Sequence, residues 1–372
     1  MPLTRRTVLA ATAGLVLARP AFAEPGRIPF EHARGKVFAP VMVNGLPVQA
    51  MLDSGSAFYG LDKAFAAKAG VVPVGRSIAV RGVQHSLSGR WADIRQLSIG
   101  GVTLSGAPAL VVDYGALAGV VGRDIEMALG GDFFRRFVVD LDFDDESLAI
   151  VPREGFTAPS DATLVALRPA RGVMTAPVRF ADETTLWAIV DTGSEPPLIV
   201  SPGPSRSLRL FDGRSSTAPL GGIGGGAVVK VGAAPTLSVG GHRFEDVPVQ
   251  GAPRKLGAEA NLGLGLLARF RLWLDFGGQR MWLRPRPAPP AFRRDLLGFY
   301  GLVRDDGIRI THVAPRSPAA AAGFRVGEVV TAINGMPAMA ANLALSDAPA
   351  GTPLAITLAD GTERALTLAR YY

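Results

Sequence analysis

The stretch from Ala39 to Ser56, APVMVNGLPVQAMLDSGS, returns from Ala176 to Ser194 as APVRFADETTLWAIVDTGS, an offset of 137 to 138 residues. Each copy reads as two apolar strands joined by a polar turn. The second strand runs straight into an acid, a hydroxyl and a glycine. Working outward, LSIGGVTLSGAP (Leu97 to Pro108) returns as LSVGGHRFEDVP (Leu237 to Pro248), an offset of 140. RFVVDLDFDDESLAIVPR (Arg136 to Arg153) returns without a gap as RFRLWLDFGGQRMWLRPR (Arg269 to Arg286), an offset of 133, with seven of eighteen positions identical. Three blocks in one order at nearly constant spacing mark an internal duplication. The chain therefore holds two copies of one lobe, residues 36–155 and 170–287. A unit this long, present only twice, predicts a pseudo-twofold pair rather than a solenoid. Short β-type runs punctuated by Gly, Asp and Pro make each lobe strand-rich.

Composition narrows the chemistry. The 372 residues are 48% hydrophobic and 19% charged, with 45 Gly and 29 Pro, the profile of a folded, turn-rich, mainly β chain. There is no cysteine and there are four histidines, His32, His85, His242 and His312. That excludes thiol nucleophiles, disulfides and iron–sulfur clusters, and leaves little for a histidine metal site. The expectation is no metal and no cofactor. The acidic run at Asp140, Asp142, Asp144, Asp145 and Glu146 reads as a solvated hairpin rather than a calcium loop. The net charge is +7, but its Lys and Arg are scattered without interleaved aromatics, so no nucleic-acid partner is expected.

The first 23 residues read as an address. Thr4-Arg5-Arg6-Thr7 leads into a short, mildly apolar run, then Arg19 and the small-x-small site Ala21-Phe22-Ala23. The Arg pair and the modest hydrophobicity resemble a twin-arginine signal, with general secretory export as the alternative. This predicts a periplasmic or secreted protein cut near Ala23, and not an integral membrane one. Removing Arg5, Arg6 and Arg19 lowers the net charge from +7 to +4.

Two triplets carry the chemistry, Asp53-Ser54-Gly55 and Asp191-Thr192-Gly193. A single Asp-hydroxyl-Gly is an ordinary turn. Here it stands at equivalent places in both lobes, each after a buried-looking strand. A pseudo-twofold axis would bring the two carboxyls together, where like charges force the pair to share one proton. One carboxylate then serves as base on a water, and the other, protonated, hydrogen-bonds a carbonyl. Gly55 and Gly193 allow close backbone approach. Ser54 and Thr192 can tie the turns together, and the hydroxyls of Ser56 and Ser194 can reach the outer carboxylate oxygens.

These lobes resemble the retropepsin/pepsin class of aspartic proteases, whose hallmark is Asp-(Thr/Ser)-Gly at the end of an apolar strand. The class carries a second apolar-apolar-Gly motif behind the catalytic loop. Ala128-Leu129-Gly130 matches it, with Val120-Val121-Gly122 as a rival, and Asn261-Leu262-Gly263 corresponds in the second lobe. Asn261 departs from the apolar preference. Glu195-Pro196-Pro197 departs from the helix start that follows the first triplet. The resemblance also implies Gly-rich flaps, for which Gly82 and Val83, and Gly221, Gly222 and Ile223, are the candidates. One flap would resemble pepsin and two the retropepsin dimer.

After a Pro-rich linker at 284–292, residues 293–372 are similar to bacterial PDZ domains. Ser317-Pro318 followed by alanines, Gly323-Phe324, Gly327-Glu328 and Asn334-Gly335 carry the likeness. It implies a carboxylate-binding loop at Gly298, Phe299, Tyr300, Gly301 and Leu302, a groove helix near 339–347, and a C-terminal or internal peptide ligand. The expected architecture is two acid-protease lobes in pseudo-twofold arrangement plus an α+β PDZ domain, monomeric by internal pseudo-dimer. The expected activity is an exported aspartic endopeptidase acting on polypeptide through Asp53 and Asp191. The competing reading is a non-catalytic periplasmic peptide-binding protein using the same cleft and groove.

Overall fold

The computed structural model describes residues 26–33, 35–339 and 348–372. The leader-like residues 1–23 lie outside the described residues, as does nearly all of the helix expected at 339–347.

The duplication is visible strand by strand. In the first lobe an eight-stranded sheet runs in the order Glu31–Ala33, Lys36–Val43, Leu46–Leu52, Met127–Leu129, Tyr59–Asp62, Val102–Val112, Ser86–Ile99, Val74–Arg81. The second lobe repeats that order with Arg168–Ala170, Val173–Phe180, Thr185–Asp191, Ala260–Gly263, Leu198–Val200, His242–Gly251, Gly225–Val239, Ser216–Gly222. In both, the second strand also pairs with the long seventh one, at Met42↔Ser98 and Arg179↔Ser238. The burial alternates along these strands as a sheet with one covered face requires. Lys36–Val43 and Val173–Phe180, for example, both switch to an in-out pattern in their second halves.

A third, six-stranded sheet joins the lobes. Its centre is the antiparallel pair Phe137–Asp142 and Phe270–Asp275, where Asp140 faces Trp273. Trp273 is Asp140's own counterpart in the ungapped 133-residue repeat. The pseudo-twofold axis therefore passes between these two residues. Val139, Leu141, Leu272 and Leu274 on this pair belong to one apolar core that extends through both lobes. Each such side chain, taken fully out of water, contributes about 2 kcal/mol. Charges flank the seam. Arg271 forks onto Asp140 at 2.7 and 2.9 Å and reaches Asp142 at 2.9 Å, while Arg27 adds a second guanidinium to Asp140 at 2.6 Å.

The lobes share helix positions as well as strand order, whereas the helix Gly115–Val121 occurs in the first lobe alone among the described residues. Lys63–Lys68 follows Tyr59–Asp62 in the first, and Pro202–Ser207 follows Leu198–Val200 in the second. Glu195-Pro196-Pro197 thus leaves the helix in place. The chain first extends through a short strand, and Pro202 occupies the first helical turn, where a missing N–H costs nothing.

The C-terminal unit is a separate sheet with its own core of Phe299, Ile308, Ile310, Val330, Ile356 and neighbours. Its strand order is Phe299–Arg304, Gly307–Val313, Val329–Ile333, Pro353–Leu358, Glu363–Thr367, with Met336–Pro337 paired to Val329–Ile333. Asn334 and Gly335, at φ 50° and 74°, make the tight hairpin that their sequence promised. Ser317 caps the Pro318–Ala321 helix by accepting from Ala320 N.

This unit rests on the second lobe. Ser216 Oγ donates to Pro315 O at 2.7 Å, Thr217 Oγ1 and His312 Nε2 lie 3.0 Å apart, and Arg294 and Arg370 both engage Asp246. His312 thereby bridges to the base of a second-lobe hairpin. Among the described residues no helix is long and apolar enough to cross a membrane.

Candidate active site

Each triplet is set by the strand behind it. Leu46–Leu52 lies parallel to Met127–Leu129, and Asp53 N donates to Leu129 O at 2.9 Å. Thr185–Asp191 lies parallel to Ala260–Gly263, with Asp191 opposite Gly263. Ala128-Leu129-Gly130 is therefore the strand behind the first loop. Its rival, Val120-Val121-Gly122, ends a helix, with Gly122 as its left-handed cap. Short helices, Gly131–Arg136 and Leu264–Leu267, follow the two strands.

The turns are locked to each other. Thr192 Oγ1 accepts from Ser54 N at 3.0 Å and donates to Leu52 O at 2.9 Å. Ser54 Oγ accepts from Thr192 N at 2.9 Å and donates to Val190 O at 2.8 Å. Both side chains are wholly buried. Each hydroxyl uses its donor and one acceptor on the opposite lobe, so no polar group in this cross is left unpaired.

The carboxyls consequently meet over the cross. A Cβ on Gly55 would collide with the Asp191 carboxyl, and one on Gly193 with the Asp53 carboxyl. Glycine is required here by the close approach. The two carboxyls thus face each other across the axis, close enough to perturb each other's ionisation. Both sit half-buried at the floor of a cavity of about 1740 Å³. Burial pushes both above the ordinary carboxylate range, and Asp191 beside it drives Asp53 up to about 7.

The pair is not symmetric. Asp191 Oδ1 accepts from Gly193 N at 2.8 Å, and Oδ2 accepts from Asn261 Nδ2 at 2.6 Å. Asp53 Oδ1 accepts from Ser56 N at 3.1 Å, and among the described residues no other N–H reaches its carboxyl. Asn261 and Gly193 favour the ionised form of Asp191, against the burial that raises it. At the place of Asn261 the first lobe has Ala128. The polar residue that broke the apolar motif is thus a ligand of one carboxylate. Its spacing gave the signal, but only the fold shows what it touches.

The hydroxyls of Ser56 and Ser194 do not take the expected role. Ser56 Oγ donates to Phe58 O at 3.2 Å, and no hydrogen bond of Ser194 Oγ reaches a carboxylate among the described residues. Backbone N–H groups, from Ser56 and Gly193, hold the carboxylate oxygens instead. The turn curls each carboxyl back over its own backbone, so the amides reach it first.

Two hairpins close the cavity from above. Gly82 and Val83 stand at the tip between Val74–Arg81 and Ser86–Ile99, and Gly221, Gly222 and Ile223 at the tip between Ser216–Gly222 and Gly225–Val239. The tips bond to each other, Val83 N to Ile223 O at 2.6 Å and His85 N to Gly224 O at 3.0 Å. Side chains at Gly82 or Gly224 would strike the opposing backbone. Both lobes therefore supply a flap, as in the two-flap alternative. Gly298 to Leu302 lie elsewhere. They open the edge strand of the C-terminal sheet, and Phe299, Tyr300, Gly301 and Leu302 line the far end of the same cavity.

Residues 39–133 match the Aspartyl protease family. Residues 309–347 match the PDZ domain. The first match covers the Asp53 turn, the first flap and the Gly130 strand. The second lobe enters by its strand-for-strand equivalence to the first. No curated protein matches the chain.

Two measurements check this geometry. Thr192→Val strands Ser54 N and Leu52 O without partners, and should cost about 3 kcal/mol in denaturant unfolding, while Thr192→Ser recovers most of it. Asp53, whose pKa is raised on folding, binds its proton more tightly in the folded chain. Its contribution to stability is full below the ordinary carboxylate range and is lost as pH rises toward about 7. Asp53→Asn should therefore gain stability relative to wild type near pH 8 and not near pH 4, read from paired unfolding midpoints.

Proposed function

We propose that the protein is an exported aspartic endopeptidase that hydrolyses polypeptide with Asp53 and Asp191, and whose PDZ domain recruits or positions the substrate. The observation that carries the reading is the facing carboxyl pair over the Ser54–Thr192 cross, at the floor of a flap-covered cleft. Two carboxyls in contact cannot both ionise at moderate pH, so they share one proton.

The asymmetry assigns the roles. Asp191, held by Asn261 and Gly193, is the ionised member and takes a proton from a water placed between the pair. Asp53, held above the usual range, keeps the shared proton and donates it to the scissile carbonyl oxygen. Water attacks the carbonyl carbon to give a tetrahedral diol. The C–N bond then breaks as the amine takes the proton held by Asp191 and a diol hydroxyl returns its proton to Asp53, which restores the singly protonated pair. No covalent intermediate and no cysteine or histidine is needed. The flaps exclude bulk water and hold an extended chain by backbone hydrogen bonds. The PDZ edge strand opens on the same cavity, which supports delivery of polypeptide to the cleft. The leader-like residues 1–23 support export.

An unfolded protein incubated across about pH 3 to 8 should be cut by wild type and left intact by Asp53→Asn and by Asp191→Asn. Equal cleavage by the variants, or peptide binding without cleavage by any form, overturns the reading. Asn261→Ala removes a hydrogen bond to the ionised carboxylate. Its acid limb in kcat/KM against pH should move upward by about one to two pH units, because Asp191 then protonates more readily.

A further inference from the structure

Lys36 is a buried, strongly polar residue lining the cleft that the hydrolytic reading leaves unused. It opens the strand Lys36–Val43 and is only 9% exposed. Its Nζ makes a single long contact, 3.5 Å to Gly35 O. Among the described residues no carboxylate lies within ion-pair distance of it. Yet it lines the same cavity as Asp53 and Asp191, and its positive charge favours the ionised form of both.

An ammonium group this buried is costly to keep without a partner. The duplication shows that the fold does not require it. Ala170-Arg171-Gly172-Val173 repeats Ala33-Arg34-Gly35-Lys36, so the second lobe carries a valine at the same place. Val173 is buried and lines the cavity too. At this pair of equivalent buried positions one lobe therefore places a lysine and the other a valine. Neighbouring charge does not cancel the lysine. Glu195 packs its side chain against Gly35 but is solvent-exposed and outside ion-pair reach of Nζ. Arg171 and Lys255 add positive charge at the cavity's exposed rim, and no ion pair holds either among the described residues.

We propose, building on the hydrolytic reading above, that Lys36 is a specificity-determining residue that pairs with an acidic side chain of the substrate, one or two residues from the scissile bond on a single side. The one-sidedness follows from Val173. The substrate class is polypeptide with Asp or Glu on one flank of the cut. A carboxylate entering the cleft would complete the lysine's hydrogen bonds and exclude water around it, where a charge-assisted pair gains most.

Digestion of a mixed peptide library by wild type, with cleavage sites read by mass spectrometry, should show Asp and Glu enriched at one flanking position. Matched synthetic peptides built on a cut site, with Glu or Gln there, should differ in kcat/KM by about tenfold or more at about pH 6. Lys36→Met should bring that Glu-to-Gln ratio near one, Lys36→Arg should retain it, and Lys36→Glu should turn the preference toward Lys. A wild-type ratio near one overturns the proposal without any variant, as does a ratio that survives in Lys36→Met. If Lys36→Met fails to fold, the wild-type ratio and Lys36→Glu decide. Cleavage by Asp53→Asn equal to wild type would instead overturn the hydrolytic reading.

Discussion

Four buried hydrogen bonds between Ser54 and Thr192 and the strands behind them hold the rest of the site in place. They link the two turns where these touch, and each uses a backbone group that would otherwise be buried unpaired. An unpaired buried donor or acceptor costs about 1–3 kcal/mol, so the turns cannot slide apart by degrees. The carboxyls inherit this rigidity. They are brought into contact against their mutual repulsion because the cross beneath them tolerates no other spacing. The raised Asp53 follows from that enforced contact, and the proton sharing and division of labour proposed above rest on it.

The cross is in turn supported by the six-stranded sheet below it. Asp140 facing Trp273 fixes the axis, and the leucines around that pair weld the lobes into one core. A chain built from two folded lobes could in principle hinge at the middle. Here the seam is a continuous sheet with buried apolar residues on it, so opening would expose core. The flap tips are joined by two backbone hydrogen bonds, Arg254 donates to Gly82 O, and Ile223 packs on the first lobe's apolar cluster. The C-terminal unit sits against the base of one flap, through Ser216 and Thr217. That contact gives the two halves of the molecule a physical connection at a flap that covers the cleft.

Departures from symmetry are where the function is written. A perfect twofold would make the two carboxyls equivalent and the two flanks of the cleft alike. Asn261 opposite Ala128 breaks the first equivalence, and Lys36 opposite Val173 breaks the second. Neither is required for the fold, since the other lobe manages without it. Both place a polar atom into a buried setting at some cost, which is the mark of a group kept for chemistry. Asn261 Oδ1 is itself buried without a partner, while its Nδ2 serves Asp191.

Much of this was legible in the chain alone. Three repeated blocks, two Asp-hydroxyl-Gly triplets after apolar strands, and the Ser-Pro and Asn-Gly punctuation of the last eighty or so residues are local patterns. Local patterns follow from strand period, turn chemistry and capping, which a sequence carries in full. Gly130 rather than Gly122 was readable for the same reason, through the spacing of the repeat. What the sequence could not carry was which atoms meet across the axis. Hydroxyls at Ser56 and Ser194 looked as able to reach a carboxylate as the amides that do so, and the difference is a matter of how each turn curls. Whether one flap or two closes the cleft, what Asn261 touches, and that a lysine ahead of the repeated block lies beside the carboxyls were all decided by packing between residues far apart in the chain. The sequence determined the lobes, their pairing and the residues available to them; the tertiary structure decided the contacts, because those depend on distances that no local pattern encodes.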